Sequence, residues 1–385
     1  MSAPDLVAAA RDLSSELERR TAEVEAARRL PADLSARLAS AGFYRAYVPE
    51  AVGGDEQSPA HANAGVEVLA QSDASAAWVA FIGMTSGSGL AGIPEDAARA
   101  IFSRPEILLT GVFAPMGRAV RDASGGFRVS GRWPWGSGSH NADYILGGCR
   151  FFDGDEPMLT PGGGPRSHMV VMPRADVTLL DNWDASGLCG TGSGEFEVDG
   201  ILVPEEHIVG YGRDAPAPRP LYQFPRFGLL ALGIGAVALG TARGAIDDLV
   251  ALATEKTPMG SRRTLANRAG AQSDVALAEA ALRSARLFFY DAIDRGYDHA
   301  LTGSPLPVEL KRDLRLATSH AVRAATEAVD RMYHLGGGSS VHRTNNLQRR
   351  FRDVHVATQH LMVAPPTLEL IGKTFLGVDA DTNQL

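Results

Sequence analysis

The chain has 385 residues, enough for two or three domain-sized units or one large enzyme subunit. Hydrophobic residues make up 45% and charged residues 21%, which excludes a disordered chain because the apolar surface suffices to offset chain entropy. A net charge of -8 and a pI near 5.7 argue against a nucleic-acid or anionic-membrane partner, since either needs a basic surplus.

Residues 6–30 are rich in Ala, Leu, Glu and Arg and predict a first helix. No basic patch with an apolar core precedes it, so no signal peptide is expected. Pro31 opens a second helix that Gly42 follows as a C-cap, and Ser58-Pro59 starts a third that runs to about residue 71. Two more helices are expected over 73–82 and 94–102. Near residue 107 the pattern turns to short β-rich runs, at 108–113, 119–121, 127–130, 144–146, 168–172, 177–180 and 194–203. Asp122-Ala123-Ser124-Gly125-Gly126 between the second and third runs is a hairpin signal. Helical periodicity returns over 227–252, 277–297, 307–335 and 347–363, with a last helix after Pro366. The apolar run 227–240 has four glycines and is too short for a bilayer core of about 30 Å, so it reads as a helix buried in a bundle. The expected architecture is α+β: an N-terminal helical domain (1–106), a central β-sandwich or barrel (107–217) and a C-terminal four-helix bundle (218–385).

Four features carry candidate chemistry. Gly131-Arg132-Trp133-Pro134-Trp135-Gly136-Ser137-Gly138 sets two tryptophans beside a glycine–serine loop, either a stacking wall for a planar heteroaromatic cofactor or a stapled β-turn. Gly187-Leu188-Cys189-Gly190-Thr191-Gly192-Ser193 lacks the Lys-Ser/Thr of a phosphate-binding loop, so it is a close-approach loop or an ordinary bend. Gly336-Gly337-Gly338-Ser339-Ser340 separates two helices, with Arg349, Arg350 and Arg352 nearby, and reads as a ligand contact or as a turn beside an Arg349–Asp353 surface pair. His360, placed on the 347–363 helix facing the bundle interior, is either a general acid or base poised near neutral pH or a hydrogen-bonded core residue. Cys149 and Cys189 cannot build a disulfide framework or a four-ligand zinc site, and no other grouping has metal spacing; a cytoplasmic protein is expected.

Together, and in this order, these features resemble the acyl-CoA dehydrogenase fold superfamily, more closely its branch of two-component flavin-dependent aromatic monooxygenases. The matching stretches are Leu38-Ala39-Ser40-Ala41-Gly42 with Tyr47-Val48-Pro49-Glu50, the loop from Gly131, the loop from Gly187 with Val203-Pro204, and Asn345-Asn346-Leu347-Gln348-Arg349-Arg350-Phe351-Arg352-Asp353-Val354-His355. The dehydrogenases need a carboxylate base. Its usual position, counted from Arg352, is Leu361 here, and its alternative position lies on a bundle-opening segment, 215–246, that contains no Asp or Glu. The resemblance therefore implies an oxygenase that receives reduced FMN or FAD from a separate reductase and acts with O2 on a small aromatic compound. It also implies that Ser137 contacts the flavin N5 region, that His360 helps bind or deprotonate substrate, and that Phe113, Trp135, Gly136 and Thr191 line the ring system. Gly337, Gly338, Ser339 and Ser340 would reach the cofactor across a subunit interface in a homotetramer, or at least a dimer. Phenol hydroxylases of the branch carry a further histidine where this chain reads Gly83-Met84-Thr85-Ser86-Gly87-Ser88, and the Trp-Pro-Trp-Gly-Ser-Gly loop is more similar to indole-type hydroxylases. A true acyl-CoA dehydrogenase, an amine N-oxygenase of the nitrososynthase type and a non-catalytic flavin carrier are the rival readings.

Overall fold

Asp5 accepts hydrogen bonds from the amides of Val7 and Ala8 and so starts α1 (Leu6–Ala27), the first element of the computed structural model, which describes residues 3–212 and 218–385. The helix ends at Ala27 rather than residue 30 because Arg28 turns left-handed (φ 54°) ahead of Pro31. α2 (Ala32–Ser40), α3 (Pro59–Ser72), α4 (Ala74–Gly87) and α5 (Glu95–Ile101) follow. Ser58 and Asp73 cap α3 and α4 by accepting from the amides of His61 and Ala76. α4 outruns its expected end at 82. Nearly all of its side chains are buried, so no polar–apolar alternation marks where it stops.

The β region comprises β1 (Leu109–Arg121), β2 (Phe127–Trp133), β3 (Tyr144–Asp153), β4 (Glu156–Pro157), β5 (Ser167–Pro173), β6 (Thr178–Leu180) and β7 (Glu195–Val203). Hydrogen bonds join them in one sheet ordered β4-β3-β1-β2-β7-β6, with β5 also on β3. β1 and β3 run parallel and the other pairs antiparallel. Runs 108–113 and 119–121, expected as separate strands, form one strand. Register shifts between Val112 and Gly117 interrupt its alternation and conceal the continuity. The expected end of the β-domain, at residue 217, lies outside the described residues.

α6 (Pro220–Gln223), α7 (Arg226–Glu255), α8 (Ala269–Ala300), α9 (Val308–Gly336), α10 (Asn346–Ala357) and α11 (Pro365–Phe375) complete the chain. α7 has 30 residues, more than its apolar run suggested, and is long and apolar enough to cross a membrane. It is instead packed within the fold, with 89% of its most apolar stretch buried. A Cβ at Gly240 would lie 2.1 Å from the Glu67 carbonyl, so only glycine lets α7 approach α3 this closely. Buried Glu67 then accepts from Arg286 Nε (2.7 Å) and Tyr290 Oη (2.6 Å), tying α3 to α8. α10 ends at Ala357, short of the expected 363, and turns carry the chain to Pro365 and Pro366 at the start of α11.

Candidate active site

Two loops from the β-domain meet over α4. Gly136 N donates to Gly194 O (2.8 Å) and Gly138 N donates to Thr191 O (2.9 Å), so the loops after β2 and before β7 are stitched together by backbone bonds. Gly138 takes φ +75°, and a Cβ there would meet Thr110 and Val79 at 3.1 Å; both the turn and the packing call for glycine. The second loop is anchored from two further sides. Gly190 N donates to Ser75 Oγ on α4 (3.2 Å), and Leu188 N donates to Asp353 Oδ1 on α10 (2.6 Å).

Inside this junction lies a chain of hydroxyls whose direction can be worked out. Thr191 Oγ1 donates to Leu188 O (2.8 Å) and so has no proton left for Ser193, 2.6 Å away. Ser193 must therefore donate to Thr191, and Ser137, 2.6 Å from Ser193, must donate to Ser193. Trp78 Nε1, which can only donate, feeds Ser137 Oγ at 3.2 Å. All four side chains are buried. The relay runs Trp78 → Ser137 → Ser193 → Thr191 → Leu188 O and leaves Ser137 with its proton committed and one lone pair free.

Trp78 also connects this relay to His360, with ring centroids 5.9 Å apart. His360 lies in the turns beyond α10 and not on a helix. Its Nδ1 accepts from Met362 N (3.2 Å), so the neutral ring carries its proton on Nε2. Burial, assisted by the charge of Arg315, pushes its pKa down to about 4. It is therefore a neutral N–H donor at pH 7, closer to the hydrogen-bonded residue than to the acid or base poised near neutrality, the two alternatives that its sequence position left open. Arg315, from α9, is 3% exposed and donates to Phe227 O (3.0 Å) and Thr367 Oγ1 (3.3 Å). The Phe227 ring in turn packs edge-on against Phe113 at 5.2 Å.

The structure thus brings Phe113, Gly136, Ser137, Thr191 and His360 into one connected neighbourhood. It separates the two tryptophans: Trp133 is fully buried, stacked on Phe196 and bonded to Gly148 O, so it belongs to the β core. Trp135 takes a left-handed backbone (φ 68°), is 66% exposed and meets Trp183 edge-on. The glycine turn lies in another neighbourhood. Lys256 Nζ bonds Gly336 O and Ser339 Oγ, Ser340 turns inward to donate to Tyr333 O (2.8 Å), and Gly337 and Gly338 are exposed. Nor is Asp353 half of a surface pair with Arg349. It is buried beneath the 187–193 loop, and burial pushes its pKa up to about 6. Arg350 pairs with Asp248 (2.5 Å) and Arg352 with Glu25 (2.5 Å).

Two residues of the neighbourhood, Trp78 and Arg315, were not singled out from the sequence, and Ser193 stood there only as the end of its glycine-rich loop. Trp78 lies in a helix buried on all sides, which has no distinctive face to read. Arg315 did carry a signal. It shares a stripe at spacings of three and four with Thr318, Val322, Ala325, Val329 and Met332, all buried, and an arginine on such a stripe is conspicuous.

The acyl-CoA dehydrogenase N-terminal domain model matches residues 5–96 and the acyl-CoA dehydrogenase C-terminal domain model matches residues 232–365. The chain is 36% identical to the indole-3-acetate monooxygenase of Pseudomonas putida over 360 residues, 93% of this chain and 90% of the relative. An indole-3-acetate monooxygenase of Acinetobacter baumannii is 30% identical over 348 residues, 90% and 87% of the two chains. Among solved structures, XiaF from a Streptomyces species, in complex with FADH2 and glycerol, superposes with a TM-score of 0.87 at 25% identity, covering 97% of this chain and 95% of that one. The chain belongs to the acyl-CoA dehydrogenase family, within its flavin-dependent monooxygenases.

Proposed function

We propose that the protein is the oxygenase component of a two-component system that hydroxylates a small aromatic or heteroaromatic compound, indole-type in preference to a simple phenol, using O2 and reduced flavin from a separate reductase. The observation that carries this reading is the direction of the hydroxyl relay. With its proton committed to Ser193, Ser137 offers a lone pair, and a lone pair suits the N5–H that reduced flavin has and oxidised flavin lacks. The surroundings fit a flavin in two further respects. The Thr110 Oγ1 hydroxyl, on the residue packed against Gly138, is buried without a partner among the described residues, and Trp135 holds an exposed indole face at the mouth of the loop.

When bound, reduced flavin supplies the two electrons with which one atom of O2 enters the substrate and the other leaves as water. The chain's own side chains bind, orient and exclude water. Ser137 accepts the flavin N–H, Phe113 and Trp135 give apolar surface, and His360 donates from Nε2 to an oxygen or to the π face of the aromatic substrate. Dehydrogenation is disfavoured because the position of the family's carboxylate base holds Leu361, 69% exposed, and no carboxylate bonds Trp78, Ser137, Ser193, Thr191 or His360 among the described residues. The same reading places Gly337, Gly338 and Ser339 at a neighbouring subunit's cofactor in a homotetramer, whereas Ser340, fully buried and bonded to Tyr333 O, supports the turn from inside. Light scattering at the mass of four chains supports that assembly, and a monomer contradicts it. The reading as a whole is tested by mixing protein, anaerobically reduced FMN or FAD, indole and O2. Hydroxylated indole with little free hydrogen peroxide supports it, whereas peroxide without product counts against it.

A further inference from the structure

We infer that Arg315 is the receptor for a carboxylate on the aromatic substrate, so that the preferred substrate is an aryl acid and not a neutral arene. This rests on the oxygenase reading above and names the substrate class of that same site.

Arginine cannot shed its proton within a protein, so a buried guanidinium must be compensated. Arg350 illustrates the usual solution: equally buried, it pairs with Asp248 at 2.5 Å. Among the described residues Arg315 has no such partner. Its acceptors are the Phe227 carbonyl, the Thr367 hydroxyl and the Met362 thioether (3.4 Å), all neutral, and its Nε–H has no partner among the described residues. A buried cation with an unpartnered N–H and no carboxylate partner among the described residues is a site prepared for an anion supplied from outside.

Position and charge narrow what that anion is. Arg315 touches the Phe227 backbone, whose ring packs on Phe113, and it binds Met362, two residues from His360. Its charge is felt at the His360 ring. The guanidinium therefore stands beside the group assigned to the substrate's ring end, and a substrate reaching both must carry ring and anion on one small frame. A planar carboxylate matches the guanidinium fork, and one negative charge balances a cation whose own acceptors are all neutral.

The test compares indole-3-acetate with its neutral near-isostere indole-3-acetamide, by anaerobic binding to the reduced-flavin complex and by product formed after O2 is admitted. The wild type is expected to bind the acid more tightly by on the order of 10- to 100-fold, the range for a charge-assisted pair. Arg315→Gln is expected to collapse that ratio to near unity, and Arg315→Lys, which keeps the charge but not the fork, to leave an intermediate ratio. A wild-type ratio near unity overturns the proposal even if neither variant folds, and so does a ratio that survives Arg315→Gln. A loss of reduced-flavin affinity in Arg315→Gln at an unchanged acid-to-amide ratio assigns Arg315 to the cofactor instead and also overturns it. Oxygenation of both compounds with equal preference sinks this inference alone, whereas absence of binding and product with either compound and with indole sinks the oxygenase reading beneath it.

Discussion

Replacing Ser193 by Ala interrupts the relay at its middle and tests whether hydroxyl direction selects the flavin's redox state. In the wild type Ser137 gives its proton to Ser193 at 2.6 Å, and Ser193 gives its own to Thr191 at 2.6 Å. Without Ser193 the Ser137 hydroxyl has lost its acceptor and is free to donate towards a ligand. Oxidised flavin, with an acceptor at N5, then gains one hydrogen bond, and reduced flavin loses a pre-aimed lone pair. At about 1 kcal/mol net per bond, the preference for reduced over oxidised flavin should shrink by about 1–2 kcal/mol, or roughly 5- to 30-fold. Anaerobic titration of folded protein with FMN and FAD, each in both redox states, gives the ratio directly. Ser193→Thr, which keeps a hydroxyl, should retain the wild-type ratio. An unchanged ratio in a folded Ser193→Ala protein would refute the assignment of proton direction.

Removing the relay's endpoint, as in Ser137→Ala, should lower the yield of hydroxylated product per flavin oxidised, with more free peroxide; unchanged coupling removes Ser137 from the site. His360→Gln keeps an N–H donor and should retain more coupling than His360→Ala, which is checked by the same product-to-peroxide ratio. Because burial holds the His360 pKa at about 4 in the fold against an ordinary 6.5, its stabilising contribution is complete above pH 6.5 and is lost as pH falls towards 4. The melting temperature of the wild type should therefore fall more steeply over that window than that of His360→Gln. Asp353 has the opposite sign, since its raised pKa makes its ionisation costly as pH rises through about 6. Asp353→Asn, which still offers an oxygen to Leu188 N, should be no less stable than wild type at pH 8 in urea unfolding, whereas Asp353→Ala should lose about 1–3 kcal/mol for the unpartnered amide.

Local chemistry made much of the fold readable. Ser58 and Asp73 sit where capping side chains belong, Pro31 and Gly42 bracket a helix, and Asp122 to Gly126 is the hairpin turn it spells. Elements went astray where the local signal was absent or misleading. β1 hides behind its bulges, α4 has no polar face to mark its end, and α10 stops at Ala357 although the residues beyond it could continue a helical pattern. The site was legible as loops but not as a network. Ser137 and Thr191 lie in glycine-rich stretches that announce themselves, yet the direction of their protons depends on the Leu188 carbonyl and on Trp78 from another part of the chain. Two tryptophans at positions 133 and 135 read as one stacking wall or as a stapled turn, and with a left-handed backbone at Trp135 they lie in opposite environments.

Oxygen transfer is the central claim, and isotope labelling tests it most directly. Protein loaded with anaerobically reduced flavin is mixed with indole-3-acetate or indole under isotopically labelled O2, and the product is weighed by mass spectrometry. Incorporation of a labelled atom into the aromatic product, with the other appearing in water, is the predicted result. Unlabelled product, or flavin oxidised to completion with only peroxide released, would contradict the account.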